Sequence, residues 1–360
     1  MNLRGWRLSR ARARKSADAS LPFPPEPDAP PARFVGGVDE AGLGPILGPL
    51  TIGFGVFAVP EPDVDLWRVL ERAVSQAPDR RETFRIFVAD SKVVFDRTPK
   101  GEERLEACAL AFLAHVAPSR RAPASPLELL GRIPAVLRGD GGLLREPWIP
   151  FLVDRFPQFV GAEKLARSVD LLGEAALAQR VETVAAGTRV VPVTELNASL
   201  ARTRNKARTH WDLSAGILRL LWDDHARDGL DLLVDRHGGR MRYEPLLRET
   251  FPEASVVTLA ERKARSSYRL RERASGGGRR MRVEFAERAE SASLPVALAS
   301  CLAKHARETC MRGFNAYFGS LQPGLRPTAG YLPDGRRWLR EAQPAIAASG
   351  LPRSALVRER

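Results

Sequence analysis

The stretch Phe34-Val-Gly-Gly-Val-Asp39-Glu40-Ala-Gly42-Leu-Gly44-Pro45 decides how the chain is read. Its first five residues spell a short β-strand, and Asp39-Glu40 end that strand before two closely spaced glycines. Side chains alternate across a regular strand, so neighbouring carboxylates can serve one site only where the chain starts to turn. Gly42 and Gly44 supply the turn, and with no Cβ in the way their backbone N–H groups can approach a phosphate or a sugar. The plain alternative is a solvated acidic pair beside a hairpin. Residues 50–59 are β-rich with small residues interleaved and read as a second strand, paired through that turn.

Working outward, residues 64–76 and 102–116 carry helical periodicity, and Ala89-Asp90-Ser-Lys92 lies between them. From Pro118 to about Gly187 helical pieces are broken by prolines, which reads as an insertion of unassigned role. A long helical pattern over 194–224 has Asn197 near its start. Leu230-Asp-Leu-Leu-Val-Asp235 is an apolar strand ending in an acid, and 256–259 is another strand. A very basic loop, 262–273, and a flexible Gly276-Gly-Gly follow. Glu290 then precedes a helix with Ser293 as N-cap and Pro295 in its first turn. Strands alternating with helices predict an α/β domain with a mixed sheet flanked by helices and a mostly helical insertion.

Composition narrows the class. The chain has 360 residues, 44% of them hydrophobic, which is enough for a substantial core. No run approaches the ~18 apolar residues of a membrane span. Three scattered cysteines suit neither a disulfide framework nor a thiolate zinc site, so a reducing, cytoplasmic setting is expected. The net charge of +13 favours polyanionic partners. Only seven of the 56 basic residues are lysine, however, and such a skew also follows from coding bias. Residues 1–33 are Arg-rich and then Pro-rich, with no apolar signal-like stretch, and read as a disordered basic arm.

Candidate chemistry rests on carboxylates. Asp39, Glu40, Asp235 and Glu290 occupy three places on one α/β sheet, and active sites of such sheets lie off strand ends. Without a His/Cys ligand set, oxygen ligands of this kind suit Mg²⁺ or Mn²⁺. The five histidines show no metal spacing, and no nucleophile elbow, phosphate-binding P-loop or dinucleotide fingerprint is present.

The run Gly37-Val-Asp-Glu-Ala-Gly-Leu-Gly-Pro-Ile-Leu-Gly-Pro49 resembles the opening strand and turn of the type 2 ribonucleases H (ribonuclease HII). Asp90-Ser-Lys92, Glu195-Leu-Asn197, Leu233-Val-Asp235, Ala299-Ser-Cys-Leu-Ala-Lys304 and Gly330-Tyr331 are similar to later segments of that family, in the same order. Together they span somewhat over half of the chain. The resemblance implies a ribonuclease H-like fold and metal-dependent cleavage of RNA in RNA–DNA duplexes, or at ribonucleotides embedded in DNA. It implies that Asp39, Glu40, Asp235 and Glu290 hold the catalytic Mg²⁺ or Mn²⁺. Gly42, Leu43, Gly44, Lys92, Asn197, Lys304 and Tyr331 would then contact substrate or support the site, with Tyr331 against a sugar of the DNA strand.

Departures from the family pattern are specific. Leu43 replaces the arginine of a Gly-Arg-Gly turn, and Glu290 and Glu308 stand where the family has aspartates. The 55 residues from Asp235 to Glu290 exceed the usual gap. The resulting expectation is a monomeric nuclease with its core at 34–117 and 188–335, an insertion at 118–187 and a C-terminal extension at 336–360. Two alternatives stand beside it: a non-catalytic nucleic-acid-binding relative, and a DNA nuclease or resolvase on the same fold.

Overall fold

A computed structural model describes residues 32–79, 83–139, 142–273 and 278–359. The basic arm up to residue 31 lies outside these residues, as do Gly276 and Gly277. Strand β1 (Phe34–Ala41) turns into β2 (Leu50–Ala58). Helix α1 (Leu66–Val69), the short strands β3 (Val74–Ser75) and β4 (Ile86–Phe87), and helices α2 (Ser91–Val94) and α3 (Pro99–Val116) follow. Helix α4 (Pro126–Gly131) and three 3-10 turns lead to α5 (Ala162–Ala178) and β5 (Glu182–Val191). Next come α6 (Val193–Thr203), α7 (Lys206–His225), β6 (Leu230–Asp235) and α8 (Glu244–Thr250). Strands β7 (Ala254–Glu261), β8 (Arg265–Glu272) and β9 (Arg280–Ala286) precede the long α9 (Leu294–Leu321). Helices α10 (Leu332–Glu341), α11 (Gln343–Ser349) and α12 (Arg353–Leu356) close the described chain.

The main sheet has seven strands in the order β5-β2-β1-β6-β9-β8-β7. Its three central strands, β1, β6 and β9, run parallel, and every other neighbouring pair is antiparallel. The expected mixed α/β sheet flanked by helices is therefore present.

Four local expectations change. The 64–76 helix is cut to α1, because the backbone of Val74 and Ser75 pairs with Ile86 and Phe87 instead. The 194–224 helix is two helices: Arg204 adopts a left-handed conformation (φ 49°), and Asn205 caps α7 by accepting from Arg208 N–H. The basic stretch after 262 is no loop. In β8, Ser266, Tyr268 and Leu270 are buried in alternation with more accessible Arg265, Ser267 and Arg269, a period-2 pattern concealed by its charge. Lastly, β5 starts at Glu182, inside the segment read as insertion, and pairs along the whole of β2.

Backbone bulk sets how the layers meet. A Cβ on Gly37 would lie closer than 3.0 Å to the backbone of Pro295 and Val296, and one on Gly53 equally close to the Ala299 carbonyl. The interleaved glycines of β1 and β2 thus let α9 lie directly on the sheet. Gly37 and Asp39 face α9, whereas Phe34 and Val38 pack with Trp211 and Leu218 of α7 on the opposite face. The segment before β5 is stitched to this core by Glu106 of α3. Its buried carboxylate accepts the backbone N–H groups of Gln158, Phe159 and Val160 at 2.6–2.8 Å. Helix α10 is anchored by Trp338, fully buried against Phe314 and Phe318.

Candidate metal centre

Parallel register brings two of the predicted acids together. Val38 pairs with Val234, so Asp39 and Asp235 follow side by side at the C-terminal ends of adjacent strands. Asp39 is buried towards α9; its Oδ1 accepts the Glu40 N–H at 2.7 Å, and the nearby Ser300 hydroxyl favours its ionised form. Glu40, next in the strand, meets His210 of α7 on the other face. Its longer side chain still reaches the common site. One carboxylate oxygen each from Asp39, Glu40 and Asp235 lie within 4.8 Å of one another. The strand runs on to Ala41, so this convergence comes from side-chain reach and not from a turn at Glu40.

Glu290 lies outside that group of three, in the 3-10 turn before α9, yet its charge acts on both Asp39 and Asp235. The turn is tied to the site by Ala289 N–H donating to Asp235 Oδ1 at 3.3 Å.

The site carries negative charge that the protein does not neutralise. Burial, then the Asp235 and Glu290 charges, push the Asp39 carboxyl up to about 7. Burial and Glu290 push Asp235 to about 6. Burial, Asp39 and Asp235 raise Glu40 well above the carboxylate range. Two or more acids in one desolvated place cannot all ionise unless a cation joins them. Lys92 is the nearby counter-charge. Partial burial works against its ammonium, but Asp90, Asp39, Glu290 and Asp235 together raise its pKa. It is exposed at the start of α2, whose Ser91 bonds Ser300. An oxygen-rich, charge-deficient set of this kind fits a divalent cation such as Mg²⁺ or Mn²⁺.

The remaining predicted residues fall into separate places. Gly42 takes φ +87° and its carbonyl accepts from Arg358, while Gly44 is exposed with open space where a Cβ would be. Leu43 lines a small cavity of ≈ 40 Å³ with Leu196, His210 and Arg358. Tyr331 is 43% exposed, with Arg307 over its ring at 5.5 Å. Lys304 is mostly buried; its Nζ pairs with Glu308 at 2.5 Å and lies 4.6 Å from the centre of the Phe95 ring. Asn197 is buried, donating to the carbonyls of Ser354 and Val357 and accepting from Glu359 N–H. Its amide thus holds the C-terminal segment. Of the arginines in and after the basic stretch, Arg265 pairs with Glu284, Arg279 with Glu272, and Arg280 bonds the Asp228 carbonyl.

Sequence reasoning missed three residues here. His210 is buried 3.7 Å from Glu40 Oε2. Burial, with Lys206 and Arg240 nearby, lowers its pKa to about 4, so it is neutral at pH 7. Arg307 and Arg358 are buried beneath the glycine turn. Arg307 donates to the Leu47 and Ala329 carbonyls, and Arg358 to those of Gly42 and Gly48. Burial, then Arg307, pulls Arg358 down to about 9. Nothing in the residues around either one sets it apart from the many surface arginines. Arg358→Met leaves the Gly42 and Gly48 carbonyls unsatisfied, an expected loss of about 2–4 kcal/mol. A thermal melt checks this, and an unchanged melting temperature would refute a structural role for the C-terminal segment at this turn.

No family model and no curated protein matches the chain. Among solved structures it is similar to ribonuclease HII from Archaeoglobus fulgidus, in its complex with PCNA, at 16% identity. That match covers 91% of this chain and 94% of the other, with a TM-score of 0.38. It is likewise similar to ribonuclease H2 from Pyrococcus horikoshii OT3, at 16% identity over 90% and 92% of the two chains, TM-score 0.37. A third similar structure is Bst-RNase HIII in complex with Mn²⁺, at 12% identity over 89% of this chain and 71% of that one, TM-score 0.37.

Proposed function

We propose that the chain is a divalent-metal-dependent endonuclease of the type 2 ribonuclease H kind, cleaving RNA in RNA–DNA duplexes or DNA at embedded ribonucleotides. The observation that carries this reading is the meeting of Asp39, Glu40 and Asp235, with Glu290 beside them, at the ends of adjacent parallel strands. These acids are the ones that the ordered ribonuclease HII-like motifs single out. The segment from 118 up to β5 is read as an insertion in a core that comprises 34–117 and resumes at β5, with 336–360 an extension that reaches back to the glycine turn.

Asp39, Glu40, Asp235 and Glu290 would hold Mg²⁺ or Mn²⁺. Such ions activate a water for in-line attack on the phosphodiester and stabilise the leaving 3′-oxygen. The chain's own contributions follow from geometry. Asp39 is locked by the Glu40 N–H, so its carboxylate is oriented before any ligand arrives. The exposed Lys92 ammonium is placed for a substrate phosphate beside the acids. Gly44 can present backbone to the 2′-OH, the group that distinguishes RNA from DNA, and the exposed Tyr331 ring can stack on a sugar. With a net charge of +13, affinity falls with added salt.

The deciding experiment incubates the purified protein with three labelled duplexes in Mg²⁺ or Mn²⁺: an RNA–DNA hybrid, DNA carrying one ribonucleotide, and all-DNA. Cleavage confined to ribose-containing strands is expected. Binding without any cleavage would replace this reading with a non-catalytic binder, and cleavage of all-DNA with a DNA nuclease or resolvase.

Metal uptake should also depend on pH with a definite sign. Asp39 and Asp235 carry protons below about 7 and about 6 respectively, and a cation must displace them. Mn²⁺ affinity is therefore expected to rise at least about tenfold from pH 5.5 to 7.5, with net proton release. Calorimetry in two buffers of different ionisation enthalpy reads that release directly. Identical heats in the two buffers would contradict it.

A further inference from the structure

We infer that His210, which lies outside the Asp39–Glu40–Asp235 group, is a nitrogen ligand of a divalent cation that it shares with Glu40 beside that group, a mixed carboxylate–imidazole position that prefers Mn²⁺ to Mg²⁺. The inference rests on the metal-site reading above and adds a ligand that no sequence motif indicates.

The observation is an unsatisfied atom in a telling place. His210 is 4% exposed, and its Nε2 is buried with no hydrogen-bond partner. That nitrogen faces Glu40 Oε2 at 3.7 Å, too far for a hydrogen bond. Two ligand atoms each about 2.1 Å from one ion lie at most about 4.2 Å apart, so the separation suits a shared cation. A buried polar atom without a partner is costly, and native proteins rarely leave one without a reason.

The surroundings hold the ring in place. It stacks on His237, with ring centres 4.0 Å apart and planes at 35°. His237 in turn sits among Trp211, Tyr243 and Phe285, and its backbone N–H donates to the Tyr243 hydroxyl. The charged groups acting on His210 are Glu40 in front and Lys206 and Arg240 around it. His237 has an unpartnered Nδ1 as well, but no carboxylate among the described residues lies within 4.0 Å of it. Imidazole nitrogen suits Mn²⁺ and the later transition metals, whereas Mg²⁺ is bound almost entirely through oxygen.

Pulsed electron paramagnetic resonance on the Mn²⁺-loaded full chain tests the assignment. A directly bound imidazole couples its ¹⁴N to the Mn²⁺ electron spin, and the wild-type spectrum is expected to show that modulation. His210→Gln should remove it while Mn²⁺ still binds through the carboxylates, with an affinity lower by about tenfold or more. Mg²⁺ affinity should change little. Bound Mn²⁺ without ¹⁴N coupling in the wild type would overturn the inference and leave the carboxylate site standing. Coupling that persists in His210→Gln would overturn it too. Failure of the wild type to bind Mn²⁺ at all would overturn both the inference and the metal-site reading. Because the wild-type spectrum decides alone, misfolding of the variant cannot shield the assignment.

Discussion

Asp39→Asn is expected to cut hydrolysis of the ribose-containing duplex by about 10²–10³-fold or more, the scale of losing a transition-state electrostatic partner, and yet to stabilise the metal-free protein. Both effects have one cause. Asp39 is buried beside Asp235 and within reach of Glu290, and its carboxyl titrates at about 7, against about 3.8 in an unfolded chain. A folded pKa raised in this way makes the protonated form the comfortable one. The stability it contributes is complete below about pH 4 and is lost as pH rises through 7. At pH 8 the ionised Asp39 therefore costs on the order of 2–4 kcal/mol. Asparagine keeps an acceptor for the Glu40 N–H and removes the charge. In chelator, the variant should melt several degrees above wild type at pH 8 and at nearly the same temperature at pH 4. Equal differences at the two pH values would sink the electrostatic account, and an Asn variant as active as the parent would sink the metal-ligand role.

Gly37→Ala should unfold the protein or lower its stability by about 3–5 kcal/mol, an exceptional penalty for one methyl group. The new Cβ would fall inside the backbone of Pro295 and Val296, where no side chain can swing away. Either α9 lifts off β1 or the strand bends. Both disturb Asp39, which lies two residues on along the same face, and Ser300 opposite it. Gly173→Ala is the control. It sits in α5 with nothing within 4 Å of its added Cβ, and the better helix former should add about 0.5–1 kcal/mol. Parallel melts of the two variants should move in opposite directions; a harmless Gly37→Ala would show that α9 does not rest on the glycines of the sheet.

The two variants mark where the sequence was legible. Asp39 and Asp235 could be found because each ends a short apolar strand, a local pattern of a few residues. Glu290 offered only the weaker local signal of an acid just before a helix N-terminus, together with its place in the ribonuclease HII-like order. Strand β8 was hidden because its outward positions are arginines, so a period-2 pattern passed for a charge run. Strand β5 was overlooked behind a proline-broken stretch, since nothing in residues 182–187 announces that they pair with β2. The break at Arg204 and Asn205 rests on one left-handed residue and one cap, both too local to interrupt the apolar periodicity around them.

By itself, the sequence determined the chemistry on offer: paired acids at a strand end, a glycine turn after them, and further carboxylates suited to a divalent ion. The parallel register of β1 and β6 then decided that Asp39 and Asp235 stand side by side. Tertiary packing alone brought His210 to Glu40, buried Arg307 and Arg358 under the turn, and turned Asn197 to the C-terminal segment. The reason is physical. Strand ends, turns and caps are short-range and written in neighbouring residues. Desolvation and an unmet hydrogen bond arise only when segments far apart in the chain, such as residues 40 and 210 or 42 and 358, are pressed together.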